Sequence, residues 1–182
     1  MQRRYVTPPV LPPAALAELK DWLGITTAQD DAPLGALLRA ALDLCEGFTG
    51  HLPLAAECEE VLPADNRWQA LATRPVQAIT GIEGIPAEGP RFALAADAWE
   101  IDLDADGGGL VRVPRQGAAG RVAVRFTAGI APDWASLPEG LRHGLIRLAA
   151  HQYRTRDAGE TAAFPPPAIA ALWRPWRRMR LA

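Results

Sequence analysis

The chain has 182 residues, 49% hydrophobic and 22% charged, a balance that suits one folded domain or a domain carrying an insertion and excludes global disorder. Its formal net charge is only −2, and the longest apolar runs fall well short of the roughly 20 residues that a helical membrane span requires. Two cysteines cannot make a disulfide framework, and the proline-broken start offers no signal-peptide core.

Residues 1–13 read as an extended, proline-rich arm. Ala14–Leu23 follows as a short helix with Leu16, Leu19, Trp22 and Leu23 on one side and Gly24 as its stop. Asp30 or Asp31 is placed to cap a second helix, in which Leu34, Leu37, Leu38, Ala41, Leu42, Cys45 and Phe48 recur at helical spacing until Gly50. Cys45 on that apolar face is expected to be a buried free thiol. From 54 to 130 the pattern turns to short alternating runs: Glu59–Leu62, Val76–Ile82, Arg91–Leu94, Trp99–Leu103, Leu110–Val113 and Arg121–Phe126. Asp104–Gly109 has the glycines of a tight hairpin turn. Helical spacing returns after Ser136-Leu137-Pro138-Glu139, which reads as a capping box, and runs through Leu141, Leu145 and Leu148 to about Arg154. Pro165–Pro167 precede one or two helical turns over Ala168–Trp173, and Trp176–Leu181 complete the pattern.

The expected fold is α+β: a small bundle of three to four helices with a β-rich insertion between the second and third. The expected segments are an arm at 1–13, a helical core at 14–53 and 131–160, the insertion at 54–130 and a docking tail at 161–182.

Sites of chemistry are hard to find. Asp102-x-Asp104-x-Asp106-Gly107 begins like a calcium loop, but the twelfth position, where a bidentate Glu is needed, is Val113. It is better read as a solvated acidic hairpin tip. Ser136 is the sole serine and lacks a nucleophile elbow. His51, His143 and His151 show no zinc-ligand spacing, and no glycine-rich phosphate loop leads into a helix. The expectation is therefore no catalytic, cofactor-binding or metal residue, and no cofactor. A small hydrolase or metal enzyme remains a rival that replacement of Ser136, His143 and His151 would decide.

Charge is polarised. From Glu139 onward there are eight arginines against three acidic residues, a net of +5, which leaves 11 basic and 18 acidic residues, a net of −7, before it. Such polarity lets copies dock head to tail or sets the basic end on an acidic surface. The tail concentrates the effect: Leu172, Trp173, Arg174, Trp176, Arg177, Arg178, Met179, Arg180 and Leu181 mix aromatic anchors with guanidinium groups, the residue types of protein–protein hot spots. Three readings stay open for it: docking on a partner protein, packing against its own domain, or contact with nucleic acid or a membrane surface.

Four stretches, in order, resemble one family. The first runs through Leu19, Leu23, Ile25, Asp30-Asp31, Leu34, Leu37, Leu38, Ala40-Ala41 and Glu46 to Thr49-Gly50 and Leu52. The second is Arg74-Pro75-Val76 with Ile79. The third is Ala128-Gly129, Pro138, Leu141, Leu145, Ile146, Ala149, Tyr153 and Arg156. The last is Pro166, Ala168, Leu172, Pro175 and Arg177. Together these are similar to the head–tail connector (adaptor) proteins of long-tailed phages and phage-derived gene transfer agents. The chain departs from compact members in its β-rich insertion, and His51 stands where a basic residue is common.

The resemblance implies a structural role without enzymatic activity, in the neck of a virion-like particle made in the bacterial cytoplasm. It implies a ring of copies of the chain, generally twelve, beneath the portal protein. Such a ring extends the DNA channel, lets DNA pass without sequence-specific binding, and presents a platform to the stopper or tail-side neck protein, with no membrane partner. The family's portal-gripping segment falls on Leu172–Leu181. The alternative is a small nucleic-acid-binding module using the Arg- and Trp-rich tail.

Overall fold

A computed structural model describes residues 3–155 and 165–178. Its elements, in chain order, are β1 (Arg3–Thr7), α1 (Pro13–Leu23), α2 (Asp31–Thr49), β2 (Ala56–Pro63), β3 (Gln69–Ala70), β4 (Val76–Pro86), β5 (Phe92–Ala93), β6 (Glu100–Leu103), β7 (Gly109–Arg112), β8 (Ala119–Ala128), α3 (Glu139–Thr155) and α4 (Pro167–Trp173), the last followed by a 3₁₀ turn over Arg174–Trp176. The fold is α+β, and the described residues form two compact units: residues 3–9 with Ala55–Gly129, and Val10–Leu54 with the described residues from Ile130 on.

The helical unit is built on the apolar stripes of α1, α2 and α3. Ala15 and Leu19 of α1, Leu34, Leu38, Ala41 and Cys45 of α2, and Leu141, Leu145, Leu148 and Ala149 of α3 are fully buried together. Gly24 and Gly50 end α1 and α2 in the left-handed region, at φ 73° and 77°, where a glycine carries no Cβ penalty. Lys20 Nζ bonds Asp31 Oδ1 at 2.6 Å and fastens the end of α1 to the start of α2. Trp22, expected on the buried side of α1, is 46% exposed. Its ring meets His143 edge-on at 5.2 Å over an open groove of about 400 Å³ that Glu18, Asp21 and Glu139 also line.

Two local expectations are corrected. Asp30 holds the N-cap position of α2, but its side chain makes no cap bond and instead accepts the Tyr153 hydroxyl at 2.9 Å. Ser136 does not begin α3. That helix starts at Glu139, with the Pro138 carbonyl accepting from Leu141 and Arg142, while Ser136 donates its N–H to Asp133 Oδ1 at 2.8 Å. The Asp30 carboxylate is thus taken by Tyr153, and the Ser136 backbone is held to Asp133 in the turn ahead of the helix.

In the β unit five antiparallel strands lie in the order β1-β2-β8-β4-β5, and three more in the order β3-β7-β6. The strands β2 to β8 all fall between α2 and α3, but the sheet also takes in residues from the N-terminal side of α1. Arg3–Thr7, expected within a free arm, pair antiparallel with β2, Tyr5 opposite Cys58. An edge strand needs only one neighbour and no full alternation, so β1 forms despite the prolines that follow it. The hairpin between β6 and β7 turns at Asp104–Gly108 as expected, with Gly107 at φ 74°. Asp102, Asp104 and Asp106 are exposed, as a solvated acidic tip requires, and Asp104 also accepts the Gly108 N–H at 2.5 Å and lies 3.7 Å from Arg74.

Two glutamates are buried in β2. Glu60 accepts from the Ala72 N–H (2.8 Å), the Thr73 N–H (2.9 Å) and the Thr73 hydroxyl (2.6 Å), so its charge is met by three donors. Glu59 takes Arg91 Nη1 at 3.0 Å on both oxygens, and Arg125 Nε lies 3.5 Å from it as an ion pair without hydrogen-bond geometry. Glu83 approaches the same two arginines at 3.8 and 3.5 Å, which makes a four-residue network linking β2, β4 and β8.

Candidate docking surface

The C-terminal segment lies across the helical unit, and α3 is shaped to receive it. Gly140 and Gly144 are one helical turn apart, so they open a shallow seat on one face of α3. A Cβ on Gly144 would collide with the Trp173 indole, and one on Gly140 would come within 3.4 Å of the Leu172 carbonyl. Trp173 fills that seat and is fully buried, with its Nε1–H 3.4 Å from the Leu141 carbonyl and its ring 6.0 Å from that of Phe48. Ile169, one turn earlier on α4, is buried beside it. Pro167 at the first helical position suits the start of α4, where an N–H has no partner to lose.

Beyond Trp173 the chain crosses the C-terminus of α2. The Arg178 N–H donates to the Thr49 carbonyl at 2.9 Å, and His51 Nδ1 lies 3.1 Å from the Trp176 carbonyl, a bond made when the ring carries its proton there. Arg177 lies over the Phe48 ring at 5.3 Å. The last turn of α2 contains no basic residue of its own. Arg177 and Arg178 therefore bring positive charge to the negative end of that helix dipole.

The sequence-predicted tail residues thus separate into three groups. Trp173 is core, and Leu172 and Trp176 are half-buried. Arg174, Arg177 and Arg178 are exposed, and Arg177 and Arg178 lie by the end of α2. Met179, Arg180 and Leu181 lie outside the described residues. Of the remaining polar candidates, His51 joins the tail contact, while Ser136, His143 and His151 sit apart at a turn and along α3. Among the described residues no three His, Cys, Asp or Glu side chains gather to hold a metal ion, and no helix is long and apolar enough to cross a membrane. The Cys45 thiol is pushed up to about 12, chiefly by burial and then by the neighbouring Glu46 charge, so it stays protonated and unreactive.

The seat was the feature sequence reading missed. Its signal was present, because two glycines spaced four apart inside an otherwise sound helix require a packing reason.

No protein-family model matches the chain, and no curated protein does. Solved structures do. A chain from the neck of a native gene transfer agent (GTA) particle, computed with C12 symmetry, has 31% identity and a TM-score of 0.78, covering 100% of this chain and 98% of that one. A chain from the virion of the native GTA particle has 31% identity and a TM-score of 0.75 over the same extents. A chain from the neck of the empty particle, computed with C6 symmetry, has 29% identity and a TM-score of 0.78, again with 100% and 98% coverage. With 31% identity over 100% of this chain and 98% of a chain from the neck of the native particle, this chain belongs to the neck proteins of gene transfer agent particles.

Proposed function

We propose that this neck protein is the adaptor: a structural part that forms a ring beneath the portal, joins the DNA-filled head to the stopper and tail, and continues the DNA channel. The observation that carries this reading is the full-length match to chains from GTA necks, one of them computed with C12 symmetry. A ring built from one chain needs two different faces that fit each other, and the chain's charge polarity supplies segments of opposite charge for such contacts. Acidic surface along the lumen repels phosphate and lets DNA slide. No sequence-specific DNA contact is required.

In this reading the exposed Arg174, Arg177 and Arg178, with half-buried Trp176 and the continuing Met179, Arg180 and Leu181, grip the portal. Trp173 has a different part. It anchors the tail to its own helical unit and fixes where the arginines emerge. The proposed truncation follows from that division. Removing Ala168–Ala182 would strip Ile169 and Trp173 from the core, so loss of function there would report misfolding. A chain ending at Trp176 keeps both.

The test is complementation of a producer strain lacking this chain. The intact chain should restore tailed particles, whereas the chain ending at Trp176 should fold but leave packaged heads without tails. Normal particles from the shortened chain would remove the tail from portal binding. Normal particles without the chain at all would overturn the adaptor reading.

A further inference from the structure

Among the described residues the two sheets end in β1 and β5 and in β3 and β6, and two of these end strands, β6 and β1, carry opposite charge. β6 is the last strand of the order β3-β7-β6 and pairs only with β7 among the described residues. All four of its residues are exposed, Ile101 at 39% and Leu103 at 42%. It carries Glu100 and Asp102 and runs into Asp104 and Asp106. Arg112 bonds Glu100 at 2.6 Å and Arg74 lies near Asp104, which leaves Asp102 and Asp106 without a cation within ion-pair distance among the described residues. The edge has no proline, lysine or bulge; its shortness and its carboxylates are what guard it against indiscriminate pairing, and those same carboxylates admit a basic strand. β1 is the end strand of the five-stranded sheet, paired only with β2, and it is basic: Arg3-Arg4-Tyr5-Val6-Thr7, with Arg4 and Val6 exposed.

We propose that β6 of one copy receives β1 of the next copy, so that sheet pairing runs from subunit to subunit. Main-chain hydrogen bonds would supply affinity, and the apolar Ile101 and Leu103 would be covered by the incoming strand. Charge selects the partner. β6 against a second β6 sets Asp102 and Glu100 among like charges, and β1 against β1 does the same with arginines, whereas β1 against β6 brings Arg4 to Asp102. The contact uses a different edge on each partner, the head-to-tail kind that builds a ring when its rotation closes. The inference rests on the ring proposed above and adds the surface through which its copies touch.

Cross-linking in assembled particles tests it. Arg4→Cys and Asp102→Cys are introduced in separate copies, supplied together, and treated with a short bismaleimide, which tolerates a small shift in strand register. The native Cys45 and Cys58 are both buried and should stay silent. The expected result is a dimer that contains one copy of each variant, and a ladder of higher species when both changes are in one chain. Arg4→Asp should lower the amount of this chain retained in necks about tenfold, and adding Asp102→Arg in the same chain should restore it. Dimers from Asp102→Cys alone, or necks that contain both variants and yield no mixed dimer, would overturn the strand contact and leave the ring standing. Particles whose necks lack the chain would sink the ring and the contact together.

Discussion

Replacing Trp173 by Ala should unfold the helical unit far more easily than any other change in the tail. The side chain is fully buried. A Trp hides on the order of 200 Å² of largely apolar surface, and at about 25 cal/mol per Å² its removal forfeits about 5 kcal/mol. Residual burial in the unfolded chain lowers that to about 3–4 kcal/mol. The bond from Nε1 to Leu141, at 3.4 Å, adds little. The seat on α3 cannot collapse to compensate, because its floor is already glycine. The expected loss is therefore about 4 kcal/mol, read as a lower midpoint in guanidinium unfolding followed by circular dichroism. Arg177→Ala, on an exposed site, should cost less than about 1 kcal/mol in the same assay. A Trp173→Ala loss below about 1 kcal/mol would refute the buried seat and return this residue to the pool of partner anchors.

Gly144→Ala should cost about 1–3 kcal/mol, even though Ala favours helix by about 1 kcal/mol, because the new methyl meets the Trp173 indole; a stabilised variant would show that α4 is not held there. Glu60→Ala should destabilise by about 3 kcal/mol, since the Thr73 N–H and hydroxyl lose their acceptor in a buried place, and thermal unfolding measures it. Cys45 sets a pH signature. Its folded value is raised to about 12, above the ordinary thiol value of 9.0, so the stability it contributes is complete below 9 and is lost as pH rises towards 12. The stability gap between wild type and Cys45→Ala should accordingly be constant near neutrality and shrink above pH 9, and a gap that held constant throughout would contradict the burial.

Much of the helical unit was legible because local and tertiary signals agree there. The spacing from Leu34 to Phe48 marks one face of α2, Gly50 marks its end, and the buried residues of α2 fall on that stripe. The hairpin at Asp104–Gly108 was equally plain, since positive φ demands glycine. What escaped depended on partners distant in sequence. The run Glu59–Leu62 says nothing of how Glu59 and Glu60 are buried, because Arg91 and Thr73 reach them from 32 and 13 residues away. β1 lacks an alternation of its own and exists through its pairing with β2. Trp173 looked like an exposed anchor because its pocket lies more than a full helix earlier, at Gly140 and Gly144. Trp22 shares a side of α1 with Leu19 and is still 46% exposed, because a helical stripe says which residues share a face and not how far the neighbouring helix reaches.

Reading the tail this way changes what its arginines mean. Arg177 and Arg178 already hold positions over Phe48 and at the end of α2. In the proposed docking, Arg177 would have less side-chain freedom to lose, and Arg178 would start from a fixed backbone position.

The most direct test of the adaptor assignment is a cryo-electron microscopy map of the particle neck made with this chain carrying a recognisable tag. The account predicts a closed ring of tagged copies around the particle axis, directly beneath the portal and above the stopper, with the C-terminal arginines facing the portal. A neck in which the tagged chain lies elsewhere, or as isolated copies without a ring, would contradict it.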